Sequence, residues 1–86
     1  MCNKNYSKFF EIGLIKLNNN EFNEAIELFN KCISLNNKIS EIYSNRGVAY
    51  NNLGQYDKAV DDYLNAIKLN PNFSEALCNL GVTYNH

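Results

Sequence analysis

A spacing of 34 residues recurs along the chain and constrains it more than any other feature. Gly13, Gly47 and Gly81 are 34 apart, and the same step joins Phe22 to Tyr56, Ala25 to Ala59, Phe29 to Tyr63 and Cys32 to Ala66. Ile33 and Ile67, Leu35 and Leu69, Glu41 and Glu75, Asn45 and Asn79, and Tyr50 and Tyr84 follow it too. One period explains all of these pairs, so the chain is an array of like units that bury apolar surface against their neighbours.

Within a unit the apolar residues fall at steps of three and four, the mark of amphipathic helices. Phe22, Ala25, Ile26, Phe29, Cys32 and Ile33 form one such stripe, and Tyr56, Ala59, Val60, Tyr63, Ala66 and Ile67 repeat it. Polar breaks at Asn18 to Glu21, Asn36-Asn37-Lys38, Gly54-Gln55 and Asn70-Pro71-Asn72 separate the stripes. The pattern predicts five helices, at about 5–18, 22–35, 40–53, 56–69 and 74–86. Ser40 and Ser74 stand where helix N-caps belong, and Pro71 stands just past a helix end. Gly13, Gly47 and Gly81, with Ala25 and Ala59, are expected to let paired helices approach closely, and Phe29, Tyr50, Tyr63 and Tyr84 to fill the gaps between units.

Residues Ser40 to Asn72 closely resemble a tetratricopeptide repeat, with Tyr43, Gly47, Tyr50, Gly54, Tyr56, Ala59, Tyr63, Ala66 and Pro71 at the spaced aromatic, small and proline positions. The first unit departs from that pattern at Lys16, Asn20 and Asn37, as a capping repeat does. The resemblance implies an all-α fold of antiparallel helix-turn-helix repeats stacked as a right-handed α-solenoid. The expected division is one domain over 1–86, with repeats at about 6–39 and 40–73 and a half repeat at about 74–86. That third unit ends after its first helix, which leaves Leu77, Leu80, Gly81 and Tyr84 as an open apolar face. The rest of a longer parent chain, or another molecule, is expected to cover it, and stacking on a second copy is the alternative function.

By the same resemblance, the first helices of successive units line a concave groove that binds a peptide or protein segment. The candidate lining is Phe10, Glu11 and Leu14 from the first unit, Glu41, Asn45, Val48 and Asn52 from the second, and Glu75, Asn79 and Val82 from the third, with Ser7, Leu17, Ser44 and Cys78 alongside. Asparagine amides both donate to and accept from an extended backbone, and the carboxylates favour a neutral or basic partner over an acidic one. The chaperone-adaptor repeats of this family hold a carboxylate terminus with lysines, asparagines and an arginine. The corresponding positions here are Phe10, Leu14, Asn45, Glu75 and Asn79, of which only Asn45 matches, so the carboxylate-clamp subtype is rejected.

Composition closes off other classes. A formal net charge of −1 offers no basic excess for nucleic acid. No apolar run is long enough to span a membrane. Cys2, Cys32 and Cys78 are too scattered for a disulfide scaffold or a zinc site, which fits a cytoplasmic or nuclear protein. Cys32 takes a small-residue position and reads as an inert core thiol. No catalytic, cofactor or metal motif is present, and the single histidine is His86. Asp57, Asp61 and Asp62 with Lys58 read as a solvated helix face, as do Glu21, Glu24, Glu27 and Lys31. The abundance of asparagine reads as a compositional bias of the genome.

Overall fold

The computed structural model describes residues 5–84; the side chains of Asn5 and Tyr84, and the whole of Met1 to Lys4, Asn85 and His86, lie outside what is described. Five helices follow in order: α1 (Asn5–Asn18), α2 (Phe22–Leu35), α3 (Ser40–Asn52), α4 (Tyr56–Leu69) and α5 (Ser74–Tyr84). α1 pairs with α2 and α3 with α4, while α3 also packs on α2 and α5 on α4. The first helices α1, α3 and α5 lie side by side in one layer and α2 and α4 form the second, giving a body of 40 × 28 × 17 Å.

Glycine sets the distance within each pair. A Cβ added at Gly13 would lie 2.6 Å from the Phe29 ring, and one at Gly47 would lie 2.6 Å from the Tyr63 ring. Each glycine therefore seats an aromatic ring from its own unit's second helix, which corrects the expectation that Phe29 and Tyr63 bridge between units. The units join through Ile42, fully buried against Ala25, Phe29 and Cys32, with Tyr6, Phe9, Phe10, Leu14, Leu17, Ile33 and Ile39 around them. The Cys32 Sγ donates to the Tyr6 carbonyl at 3.4 Å, and burial pushes this thiol up, so it behaves as a core residue.

The turns inside the two complete units share one geometry. Asn20 (φ 63°) and Gly54 (φ 80°) both occupy the left-handed region. Glu21 N–H reaches the Lys16 carbonyl and Gln55 N–H the Tyr50 carbonyl, both at 2.9 Å, which closes a Schellman turn in each unit. Between units, the Asn36 and Asn70 side chains accept from the N–H two residues ahead, an Asx turn. Asparagine thus fills defined turn positions and is more than compositional bias.

The serine caps expected from the sequence do not form. α3 starts from Ile39, without a side-chain cap bond, and Ser40 is its first helical residue. α5 starts from the Phe73 carbonyl, which accepts from Leu77 N–H. Ile39 packs on the core and Phe73 is half-buried in the same register, so burial of an apolar residue fixes where these helices begin.

The second unit carries polar groups where the first is apolar. Leu17 and Phe29 of the first unit correspond to Asn51 and Tyr63 of the second. Thr83 of α5, itself buried, donates to Asn51 Oδ1 at 3.2 Å, which ties α5 to α3. Burial pushes Tyr63 up to about 12, while the Thr83 bond pulls the other way and the charges of Asp62 and Glu75 add to the rise. Between pH 10 and 12 the folded chain therefore holds a proton that the unfolded chain releases. The stability tied to Tyr63 is complete below pH 10 and is lost as pH rises toward 12, at most roughly 2–3 kcal/mol. Denaturant melts across pH 9 to 12 are expected to show a steeper alkaline loss in the wild-type chain than in Tyr63→Phe, which has no proton to release.

Candidate functional site: the face of the first helices

Three registers run across α1, α3 and α5. Ser7, Glu41 and Glu75 form the first, Glu11, Asn45 and Asn79 the second, and Leu14, Val48 and Val82 the third. On each helix the three residues are spaced i, i+4 and i+7, so they share one face. Ser7, Glu11, Glu41, Glu75 and Val82 are exposed, while Asn45, Asn79, Leu14 and Val48 are half-buried. Asn52, also exposed, extends the line on α3.

Local hydrogen bonds orient the amides of α3. Asn45 Nδ2 donates to the Glu41 carbonyl and Asn52 Nδ2 to the Val48 carbonyl, each at 2.8 Å. Each amide keeps its oxygen and one N–H for a ligand. The register of Phe10, Ser44 and Cys78 behaves differently. Phe10 is half-buried with its ring 6.1 Å from that of Phe29, and Ser44 is 1% exposed, so neither is a free groove residue. Leu14 and Leu17 likewise lean on the core. Cys78 is exposed.

Beside this face lies an ion pair that sequence reasoning missed. Arg46 donates to both carboxylate oxygens of Asp62, Nη2 to Oδ1 at 2.7 Å and Nε to Oδ2 at 2.9 Å, while Nη1 donates to Asn30 Oδ1 at 2.8 Å. Its guanidinium also lies 5.7 and 5.8 Å from the Tyr43 and Tyr50 ring centres. One side chain therefore joins α2, α3 and α4. Asp62 is 2% exposed, so it does not belong to the solvated face expected of it. Burial pushes its carboxyl up, against the pull of Arg46. Burial also works against the charge on Arg46, but the bonds and charge of Asp62 outweigh it and raise that group. The two shifts favour opposite charge states at the two ends. The short bidentate geometry decides for the ion pair at neutral pH.

The signal lay in the register. Arg46 and Asp62 replace Ile12 and Leu28 of the first unit, two departures that occur together. Lys16 and Glu24, an exposed ion pair at 3.4 Å, likewise correspond to Tyr50 and Lys58, where the lysine lies 5.6 Å from the ring centre. Lys31 lies 5.5 Å from the Phe9 ring centre.

Two solvent-facing concavities among the described residues lie off the three registers. One of about 250 Å³ is lined by Asn37, Lys38, Tyr43, Asn65, Lys68 and Leu69, and another of about 380 Å³ sits at the first turn. Among the described residues no group of three His, Cys, Asp or Glu could hold a metal, and no helix is long and apolar enough to cross a membrane.

With this geometry in place, comparison with known proteins is decisive for the class. Three family profiles, each described as tetratricopeptide repeat, match residues 9–39, 40–73 and 62–86. The chain belongs to the tetratricopeptide repeat family and folds as an all-α repeat solenoid of five helices. Among solved structures it is similar to the Sgt2 TPR domain from Aspergillus fumigatus, at 28% identity and a TM-score of 0.90 over 94% of this chain and 54% of that one. MamA matches at 26% identity and a TM-score of 0.89, over 93% of this chain and 47% of that one. The TPR2B domain of yeast Sti1, solved as a complex with pHsp70, has the same fold at 21% identity and a TM-score of 0.91, over 94% of this chain and 65% of that one. This chain thus spans about half the length of the Sgt2 domain. A search of the curated proteins finds no significant match.

The ion pair yields a double-mutant prediction. Removing one partner strands a buried charge, so Arg46→Ala or Asp62→Ala is expected to cost about 3–5 kcal/mol. The double variant Arg46→Ile with Asp62→Leu restores the first unit's residues and is expected to recover most of that loss. Thermal melts of the three variants check this.

Proposed function

We propose that the chain is a protein-interaction module that seats an extended segment of a partner across the face of α1, α3 and α5. The observation that carries this reading is the alignment of three rows with one residue from each helix in each: Ser7, Glu41 and Glu75, then Glu11, Asn45 and Asn79, then the apolar Leu14, Val48 and Val82. Phe10 contributes through the core wall beneath. Asn45, Asn52 and Asn79 meet the backbone of the segment, Leu14, Val48 and Val82 meet its apolar side chains, and Glu11, Glu41 and Glu75 set its charge. Structural neighbours support the class: besides the Sti1 domain with pHsp70, the second TPR of Spaghetti (RPAP3) is bound to the HSP90 peptide SRMEEVD.

That peptide is acidic, and the same chemistry does not suit this chain. No cation stands at Phe10, Leu14, Asn45, Glu75 or Asn79, and Glu75 repels a carboxylate. We infer a neutral or basic segment, bound without catalysis and without a cofactor, in a cytoplasmic or nuclear setting consistent with scattered cysteines.

A peptide array resolved by charge tests the reading. Basic and neutral sequences are expected to bind, and Glu41→Lys with Glu75→Lys is expected to weaken basic ligands roughly tenfold at low salt, with less effect at high salt. Preferential capture of acidic C-termini by the wild-type chain would overturn it.

A further inference from the structure

One concavity gathers cations that the rest of the chain leaves unpaired. It lies where the α2–α3 turn meets the last turns of α4, holds about 250 Å³, and is lined by Asn37, Lys38, Tyr43, Asn65, Lys68 and Leu69. Among the described residues, Lys16 and Arg46 bond carboxylates, while Lys31 and Lys58 lie against aromatic rings. Lys8, Lys38 and Lys68 do neither among those residues, and two of these three share this concavity. No carboxylate lines it. The side-chain amides of Asn37 and Asn65 are likewise without a hydrogen bond among the described residues.

The first unit shows how the space opens. Phe9 stands 34 residues before Tyr43, and Lys31 stands 34 before Asn65. In the first unit the lysine covers the ring, 5.5 Å from its centre. In the second the shorter Asn65 leaves room beside Tyr43. Ser34 takes the register of Lys68, and Asn72 that of Lys38, so the lysine pair belongs to this junction alone among the units. The turn is also held in place. The Tyr43 hydroxyl donates to the Asn37 carbonyl at 3.0 Å, and Lys38 N–H donates to Asn36 Oδ1 at 3.1 Å. A ligand therefore meets a frame that is already set. All of the lining lies between residues 37 and 69, within the two complete units and away from either end of the chain.

Two ammonium groups require two negative charges. A carboxylate brings one, and its planar fork is best met by an arginine. The lining has none, and Arg46 beside Tyr43 is already held by Asp62. A phosphomonoester carries a charge of roughly −1.5 to −2 and strong acceptor oxygens, enough for both lysines and both amides. The volume of about 250 Å³ falls short of the roughly 300–1,000 Å³ that encloses a whole small-molecule ligand. It suits a phosphate carried on a side chain, with the rest of the ligand outside, over the exposed Leu69. We propose that this concavity is a binding site for a phosphorylated serine or threonine of a polypeptide segment. Lys38 and Lys68 take the phosphate oxygens, the amides of Asn37 and Asn65 donate beside them, and Tyr43 and Leu69 form the apolar wall. The site stands off the three registers of α1, α3 and α5 and acts independently of the segment bound there.

Three end-capped peptides Gly-Leu-Ser-Leu-Gly, with the serine phosphorylated, unmodified or replaced by glutamate, are the probes, together with inorganic phosphate. Each is titrated into the 86-residue chain and followed by amide NMR shifts. The phosphopeptide is expected to saturate, with shifts centred on Lys38, Tyr43, Asn65 and Lys68, and to bind at least about tenfold tighter than the other three probes. Lys38→Gln with Lys68→Gln, and Asn65→Asp, which keeps the shape and adds a negative charge, are each expected to weaken it at least about tenfold. Lys8→Gln, outside the concavity, is expected to leave binding unchanged. All four substituted side chains are exposed, so none of these variants removes core packing. Equal binding of the glutamate peptide would reduce the site to general acidic attraction, and equal binding of inorganic phosphate would make it a site for the free ion. Either outcome overturns the proposal, as does absence of saturable binding or a loss on Lys8→Gln as large as that on the lysine pair.

Discussion

The seating of an aromatic ring on a glycine is the contact on which the rest of this structure depends. Phe29 on Gly13 and Tyr63 on Gly47 bring the helices of each unit close enough for Ala25, Cys32, Ala59 and Ala66 to be fully buried. A wider spacing would open cavities at these small residues, and cavities in a core of this size are costly. Ile42 of the next unit is fully buried against the first such pair.

Around that fixed contact the chain exchanges chemistry in pairs. Ile12 with Leu28 becomes Arg46 with Asp62, Leu17 with Phe29 becomes Asn51 with Tyr63 and Thr83, and Lys16 with Glu24 becomes Tyr50 with Lys58. The exchanges change the chemistry at both register positions together, because a lone polar group in such a position would lack a partner. The second unit, flanked on both sides, has the more polar interior and the more connected one: Arg46 reaches α2 and α4 from α3, and Thr83 reaches α3 from α5.

The outer layer sets a different balance. Acidic side chains on α1, α3 and α5 stand in the open, one for each first helix, while Arg46 is drawn inward by Asp62. The proposed binding face is therefore acidic although the chain carries almost no net charge, and this distribution comes from the ion pair rather than from composition.

By itself the sequence determined the number, order and nearly the limits of the helices, because a 34-residue period and a 3.6-residue period are both written in single residues. It also determined the three registers of the outer face, since a residue's place on a helix follows from spacing alone. The fate of individual polar residues was decided only by the tertiary structure. Asp62 and Ser44 are indistinguishable in sequence from solvated neighbours, and Asn20, Asn36 and Asn70 from compositional excess. What pairs with Asp62 is an arginine sixteen residues away, on another helix. Such facts depend on which side chains meet across helices, and periodicity along one helix carries no record of them.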